Sequence, residues 1–217
     1  SPGNPTGKLI DLNDIIEILN KIEEINWNGL LILDEAYIDF SPIGSSLSVL
    51  VNKYKKLVVL QTLSKSFGLA GIRLGITFAS KEISRVLNSM KYPYNISNLT
   101  SDIAIRSTTK ESLKLMRKNC ELIINQREIV LKNLLNLKGI GKNIGGLDSN
   151  FLLLQIIDKN GEPNNELCNK VYKNLAIDNS VVVRFRGNEP GCNSCLRITI
   201  GTEEENKILI SKFEKVL

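Results

Sequence analysis

Residues 30–37 read LLILDEAY, an apolar run of strand length that ends abruptly in a carboxylate. An apolar run without polar alternation is typical of a strand buried on both faces of a parallel sheet. An Asp directly after such a strand lies at the carboxyl edge, where open α/β sheets bind their ligands. The segment therefore predicts an α/β fold with a ligand near Asp34, although helix N-capping is an alternative role for this residue.

A second segment, residues 62–75, reads TLSKSFGLAGIRLG and sets one amine between two hydroxyls. Ser64 and Ser66 can donate hydrogen bonds to phosphate oxygens, and the guanidinium of Arg73 can bind the same phosphate. A neighbouring cation disfavours the charged form of Lys65, which suits an amine that attacks an aldehyde to form an imine. A solvated turn is the alternative for this segment when it is considered alone.

The chain opens with SPGNPTG, a turn-rich loop without an initiator methionine, and we expect a fragment of a longer protein. Asn4 could supply an amide to an oxygen of a bound cofactor. A nucleotide-binding P-loop is not predicted, because only three residues separate Gly3 from Gly7 and Leu9 follows Lys8.

The composition excludes several classes of function. The 217 residues include no histidine, which excludes serine–histidine and cysteine–histidine hydrolysis. The net charge of +5 comes without an aromatic-studded basic stripe, so small anions rather than nucleic acid are the expected partners. Cys192 and Cys195 could form half of a zinc site, but nothing completes it, and no metal is predicted. With no apolar run long enough for a membrane span, we expect a cytoplasmic protein with reduced thiols.

The pattern of predicted elements indicates two domains joined by long helices. The first combines a helix over 11–25 with strands at 30–34, 57–63 and 75–79, an alternation that favours a largely parallel sheet. The third strand need not be parallel, because a short turn precedes it. Two long helices, about 99–118 and 119–137, lead to the second domain. Its predicted elements are a strand (150–157), a helix (165–177), two strands (180–185 and 195–200) and a helix (203–216).

Three segments, 4–7, 34–37 and 64–67, together with Arg73, resemble the pyridoxal-phosphate aminotransferases of the aspartate aminotransferase fold. Two later segments, VVVRFRG at 181–187 and GCNSCLRITIG at 191–201, narrow the resemblance to the histidinol-phosphate aminotransferases. The resemblance extends over essentially the whole chain. It implies part of the large, mostly parallel-sheet domain of that fold in residues 1–112 and its small α+β C-terminal domain in residues 113–217.

The resemblance also implies roles for the residues that match its motifs. Lys65 corresponds to the lysine that forms an imine with pyridoxal 5'-phosphate, and Asp34 to the partner of the pyridine nitrogen. Tyr37 and Asn4 correspond to donors to the ring oxygen. Ser64 and Arg73 correspond to anchors of the cofactor phosphate.

Two arginines near the end of the chain correspond to substrate ligands. Arg197 matches the arginine that binds the substrate anion, and Arg184 matches its helper on phosphate or carboxylate. A salt bridge at the rim is the structural alternative for Arg184. Alternation along the strand would place Arg186 on the face of Arg184, but a solvated position is an equal alternative.

The implied reaction is reversible transamination between histidinol phosphate and 2-oxoglutarate, which gives imidazole-acetol phosphate and glutamate in histidine biosynthesis. Lys65 would move the proton between Cα and the cofactor. The alternatives are another aminotransferase of this fold, a related decarboxylase of amino-alcohol phosphates, or a non-catalytic fragment. The resemblance implies a homodimer when the protein is full length, and we expect the 217 residues alone to bind cofactor weakly and turn over little.

Overall fold

The computed structural model describes residues 1–217 and contains two compact units. The first unit comprises Ser1–Pro2 and Leu9–Cys120, and the second comprises Gly3–Lys8 and Glu121–Leu217. The domain boundary between residues 112 and 113 stays a prediction. None of the helices combines the length and the apolar character that a membrane crossing requires.

The first unit is built on a mixed three-stranded sheet with strand order β1-β2-β3. Its elements are α1 (Leu12–Glu24), β1 (Leu31–Asp34), β2 (Leu57–Thr62), β3 (Gly75–Ala79), α2 (Lys81–Ser89) and α3 (Asn98–Ser107). Strands β1 and β2 are parallel, with Asp34 opposite Leu60, whereas β3 is antiparallel to β2. Because residues 63–74, which connect β2 to β3, contain only turns and a short 3₁₀ helix, Ala70–Ile72, the chain lacks the crossover helix that a parallel pair requires.

The core of the first unit lies between α1 and one face of this sheet. Asp11 caps α1 by accepting a hydrogen bond from Asn13 N at 2.7 Å. Ile15 and Leu19 then pack against Leu57 and Val59. Each such side chain contributes about 1.5–3 kcal/mol on full burial. Ile18 is 48% exposed, because it lies at the edge of the apolar stripe of the helix.

The two long helices join at a different point from the one that periodicity predicts. Helix α3 ends at Ser107, and α4 (Lys110–Leu135) begins three residues later rather than near residue 119. Thr108 Oγ1 donates to Ala104 O at 2.9 Å, whereas Thr109 Oγ1 accepts from Ser112 N at 3.2 Å. One threonine therefore ends a helix and the next caps its successor. Helix α2, capped by Ser80, was not predicted.

The second unit is a four-stranded antiparallel sheet covered on one face by helices. Its strands, in the order β4-β5-β7-β6, are β4 (Ile140–Asn143), β5 (Phe151–Ile156), β6 (Arg184–Phe185) and β7 (Cys195–Thr199), and its helices α5 (Asn165–Ile177) and α6 (Glu203–Val216) match the predicted bounds. Leu152, Leu154 and Ile198 face these helices and pack with Phe213 of α6. The residues that alternate with them lie on the opposite face, which carries the predicted substrate arginines.

Candidate active site

The predicted site residues fall into two groups that the two units hold separately. The lysine group, in the first unit, consists of Asp34, Tyr37, Ser64, Lys65 and Arg73. The arginine group, in the second unit, consists of Asn4, Arg184 and Arg197.

The lysine group is organised by the carboxyl ends of two neighbouring parallel strands. Asp34 is the last residue of β1, and the Lys65 turn begins directly after β2. Parallel strands end at the same edge of a sheet, so the sheet itself brings a carboxylate and an amine to one edge. The two residues that carry the predicted chemistry therefore share an edge, as the strand patterns indicated.

The turn that carries Lys65 is held by backbone hydrogen bonds that leave its side chain exposed. Gly68 N donates to Lys65 O, and Leu69 N donates to Leu63 O, both at 3.0 Å. Lys65 itself is exposed, and its Nζ lies 5.4 Å from the centroid of the Tyr37 ring. A cation over an aromatic face at this distance is attracted by the ring. Tyr37 thus contacts the amine it was predicted to accompany.

Asp34 is exposed and makes a local turn rather than a helix cap. Its Oδ1 accepts a hydrogen bond from Ala36 N at 3.0 Å. The next helical turn, Ile38–Phe40, begins after Tyr37 and has no side-chain cap. N-capping therefore does not explain this Asp, and one carboxylate oxygen, Oδ2, is not used by that turn.

Sequence reasoning missed the anchoring role of the next residue, Glu35. Its side chain is 1% exposed and accepts hydrogen bonds from Ser46 Oγ, Leu47 N and Gln61 Nε2 at 2.6, 2.7 and 2.8 Å. A buried carboxylate is tolerated only when donors satisfy it in this way. The carboxylate of Glu35 is visible in the run LLILDEAY, but its three donors come from segments that are distant in the sequence. The local sequence therefore does not indicate that this carboxylate is buried and hydrogen-bonded.

The hydroxyls beside Lys65 have different partners. Ser64 Oγ lies 2.9 Å from Thr62 Oγ1, and the backbone N of Ser64 donates to the same Thr62 oxygen at 3.1 Å, so Thr62 fixes Ser64 at the start of the Lys65 turn. Ser66 Oγ instead donates to Asp39 Oδ2, which ties the Lys65 turn to the segment after Asp34. Ser66 was considered as a phosphate donor, and in this structure its proton is already committed to Asp39.

Arg73 adopts a backbone conformation that few residues other than glycine occupy, with φ +54° and ψ +45°. Its Nη1 donates to Ala70 O at 3.1 Å, and Thr100 Oγ1 from α3 donates to Ile72 O at 3.2 Å. These contacts hold the turn, while the guanidinium remains exposed with further donors for an anion.

The arginine group lies on the face of the second sheet opposite its helices. Arg184 and Arg197 are directly opposite each other across the antiparallel β6–β7 ladder, so both side chains lie on one face. Arg197 Nη1 donates to Asn4 Oδ1 at 2.9 Å, and its guanidinium lies 5.1 Å from the centroid of the Phe151 ring. The structure therefore joins residues 4 and 197, which sequence reasoning had assigned to different domains.

The hydrogen bond from Arg197 also defines how the Asn4 amide is oriented. Because Oδ1 is the acceptor, the amide nitrogen carries the remaining donors, and no protein atom accepts them. The predicted role of Asn4, donation to an oxygen of the cofactor, requires this orientation.

Arg186 does not extend the arginine group. Strand β6 ends at Phe185, and Arg186 Nη1 forms a salt bridge with Glu189 Oε1 at 3.0 Å. Its backbone N donates to Cys195 O at 2.8 Å. The side chain thus forms a local, partly exposed ion pair, which neither of the two alternatives specified.

The cysteines near this group are buried. Burial first, and then the neighbouring Cys192, raises the pKa of Cys195 to about 11, so its thiol stays protonated at neutral pH. Burial likewise raises the pKa of Cys168 to about 12. No cluster of three or more His, Cys, Asp or Glu side chains has the geometry to hold a metal ion.

The chain is similar in sequence to proteins of a known family. A profile of the family described as aminotransferase class I and II matches residues 1–213. A protein of Candida maltosa named histidinol-phosphate aminotransferase is 60% identical over 217 residues, which are all of this chain and 55% of that protein. The chain thus spans about half the length of this curated relative.

Two solved structures show the same fold. The histidinol-phosphate aminotransferase of Clostridium acetobutylicum superposes with a TM-score of 0.86 at 26% identity and covers all of this chain and 62% of its own. The Sinorhizobium meliloti histidinol-phosphate aminotransferase, solved in complex with pyridoxal-5'-phosphate, gives 0.85 at 20% identity, with 100% and 55% covered. The aminotransferase-like α/β fold expected from the sequence is confirmed.

Proposed function

The chain belongs to the class I and II aminotransferase family, and from this premise we propose that the natural protein transfers an amino group between histidinol phosphate and 2-oxoglutarate. The products are imidazole-acetol phosphate and glutamate, the reaction is reversible, and it serves histidine biosynthesis. The 60% identity to the Candida maltosa protein supports this choice of substrate. The observation that carries the reaction type is the pairing of Asp34 with the Lys65 turn at one edge of parallel strands.

We propose pyridoxal 5'-phosphate as the cofactor, and the donor set of the chain fits it. A phosphate needs hydroxyl and guanidinium donors, which Ser64 and Arg73 supply. A protonated pyridine nitrogen needs a carboxylate, which Asp34 supplies, and the ring oxygen needs N–H and O–H donors, which Asn4 and Tyr37 supply. One observation supports the fit: a Cβ added at Gly68 or Gly71 would meet no atom within 4 Å, so the backbone around Lys65 leaves space for a bound group.

Lys65 is the proposed covalent carrier of the cofactor and the catalytic base. When bound, pyridoxal phosphate withdraws electrons from Cα of an amino acid and makes its proton removable. Lys65 Nζ, as a neutral amine, would take that proton and return it to the other carbon. The Tyr37 ring holds the Lys65 side chain beside the strand ends.

The arginine group would bind the anionic ends of the substrates. A guanidinium bonds two oxygens of a carboxylate or phosphate at once, and Arg197 lies half-buried beside Asn4, where such an anion would be recognised. Arg184, opposite it in the ladder and exposed, is the proposed helper for the phosphate. The net charge of +5 suits a protein whose ligands are all anions.

We further propose a cytoplasmic homodimer. The reduced, buried thiols of Cys168, Cys192 and Cys195 suit a reducing compartment. Large apolar side chains at Ile43 and Tyr94 are 93% and 100% exposed, which is typical of surfaces that another protein chain covers.

The proposal is tested by assaying the natural protein with glutamate as donor. We expect imidazole-acetol phosphate to be a far better acceptor than general 2-oxo acids that lack the phosphate. Equal turnover of such acids would favour another aminotransferase of this fold. Release of CO₂ in place of amino transfer would favour a related decarboxylase, and a preparation without any cofactor absorbance would contradict the proposed chemistry altogether.

A further inference from the structure

Arg127 is a buried cation in the part of α4 that belongs to the second unit. Only 4% of its surface is exposed, and burial lowers the pKa of its guanidinium while the charges of Asp148 and Glu128 oppose that effect. Its Nη1 donates to Ser149 O at 2.6 Å, and its buried Nε has no hydrogen-bond partner. Burying a guanidinium is costly, and an apolar side chain would fill the same space without that cost. The arginine therefore has a role beyond filling the core.

The carbonyl that Arg127 holds belongs to the loop over residues 145–149, which supports the Gly3–Lys8 loop. Gly146 N donates to Thr6 O at 2.8 Å, and Asp148 N donates to Gly7 O at 3.0 Å. The packing is close as well, since a Cβ added at Gly7 would lie 2.5 Å from Ser149 Oγ. The position of the Gly3–Lys8 loop thus depends on the loop that Arg127 anchors.

Ser149, which Arg127 holds, also contacts Phe151, the residue whose ring lies beside Arg197. Ser149 is fully buried, and its Oγ donates to Phe151 O at 3.2 Å. The Phe151 ring lies beneath the Arg197 guanidinium, and Arg197 donates to Asn4. One continuous set of contacts therefore runs from Arg127 through Ser149 to both members of the Asn4–Arg197 pair.

We propose that Arg127 is a positioning residue which, through the Ser149 carbonyl, fixes the loop that presents Asn4 and the ring that supports Arg197. Arg127 touches neither substrate nor cofactor, and it acts by restricting where the Asn4 amide points. The consequence for a bound ligand rests on the proposed function, whereas the consequence for the loops does not.

The first experiment needs no cofactor. Hydrogen exchange is measured at the amides of Gly146 and Asp148 in the natural protein, in R127M and in R117M, which removes an exposed arginine from the same helix. We expect exchange at both amides to accelerate about tenfold or more in R127M, the scale of losing a hydrogen bond from a charged donor, and not in R117M. Equal acceleration throughout the second unit, or none at these amides, would overturn the proposal.

The second experiment measures the absorbance of the covalently attached cofactor, which responds to the hydrogen bond that Asn4 donates. A donor to the ring oxygen stabilises its anion and lowers the pKa at which the absorbance titrates. We expect N4A and R127M each to raise that pKa, and the double variant to raise it no further than N4A, because both act on one hydrogen bond. Additive shifts, or a shift in N4A alone, would show that Arg127 does not act through Asn4.

R127K keeps the experiment decisive should R127M fail to fold. A lysine can still donate to the Ser149 carbonyl but lacks the planar fork of arginine, so we expect faster exchange at Gly146 and Asp148 than in the natural protein and a spectroscopic pKa between those of the natural protein and N4A. A spectroscopic pKa of R127K equal to that of N4A, or unchanged from the natural protein, would contradict the proposal. Failure of the proposed function is distinguishable, because the natural protein itself would then show no cofactor absorbance while the exchange result still stands.

Discussion

The Lys65 turn of the first unit and the Gly3–Lys8 loop of the second unit both depend on a glycine with positive φ, but for different reasons. Gly68 has φ +67° and no atom within 4 Å of the position a Cβ would take. Gly7 has φ +61°, and the same position lies 2.5 Å from Ser149 Oγ and 3.2 Å from the Phe151 ring.

The difference in packing around the two glycines shows that one loop is surrounded by open space and the other by buried side chains. Around Lys65 the turn leaves space open, and the exposed side chain has the Tyr37 ring beside it. Around Gly7 the space is filled, while the amide of the exposed Asn4 accepts a hydrogen bond from Arg197. The first region leaves room for a bulky group, and the second holds an amide in the orientation that its proposed role requires.

The largest expected effect is the loss of turnover in K65A. The side chain contributes little to folding because it is exposed, so the free energy of unfolding should hardly change. Activity is measured with glutamate, and borohydride reduction followed by peptide mapping locates the adduct. K53A is the matched control, because Lys53 is also exposed and its Nζ lies 4.8 Å from the Tyr54 ring. An adduct on any lysine other than Lys65 would refute the assignment.

The second largest expected effect concerns the arginine group. R197A should weaken binding of the phosphate-bearing acceptor by about 2–5 kcal/mol, since Arg197 is half-buried and its loss leaves the Asn4 carbonyl oxygen without its donor. R184A should cost about 1 kcal/mol or less, because Arg184 is exposed and solvent screens its charge. Acceptor KM for the two variants measures the difference. Should R197A lower cofactor affinity and spare the acceptor, the roles are misassigned.

The third expected effect concerns Asp34 in the lysine group. D34N should slow turnover on the order of 10² or more, the scale of losing one strong electrostatic partner, and leave stability nearly unchanged. Asparagine can still accept the hydrogen bond from Ala36 N, so only the charge is lost. D11N is the control, because Asp11 accepts from Asn13 N in the same local pattern without any proposed catalytic role. Unchanged turnover in D34N would remove Asp34 from the mechanism.

The smallest expected effect is the difference in stability between alanine variants of Gly68 and Gly7. G68A should cost about 1–2 kcal/mol of unfolding free energy, the penalty of a left-handed backbone alone. G7A should cost about 1–3 kcal/mol more, because its Cβ overpacks against a fully buried serine. Urea denaturation of the two variants gives the difference. Equal costs would mean that the loops are packed alike and that the proposed contrast is wrong.

Local patterns in the sequence determined the elements and several of the key residues. The apolar run before Asp34 predicted β1, and the periodic residues after Asn164 and Thr202 predicted α5 and α6 with their observed bounds. In these stretches the spacing of apolar residues and the capping side chains lie within one segment, so neighbouring residues carry the information. The proposed roles of Lys65 and Asp34 rest on the same kind of local signal, since Asp34 ends β1 and Lys65 lies just past the end of β2.

Only the tertiary structure decided which distant residues meet. The Asn4–Arg197 hydrogen bond joins residues 193 positions apart, and Arg127 looks like any helical arginine until Ser149 O is seen beside it. The break at Thr108 was missed because threonine can end a helix, cap one or continue it, and the choice depends on its hydrogen-bond partners. Spacing along the chain reports only what lies within a few residues, whereas long-range packing selects the partners that orient a site.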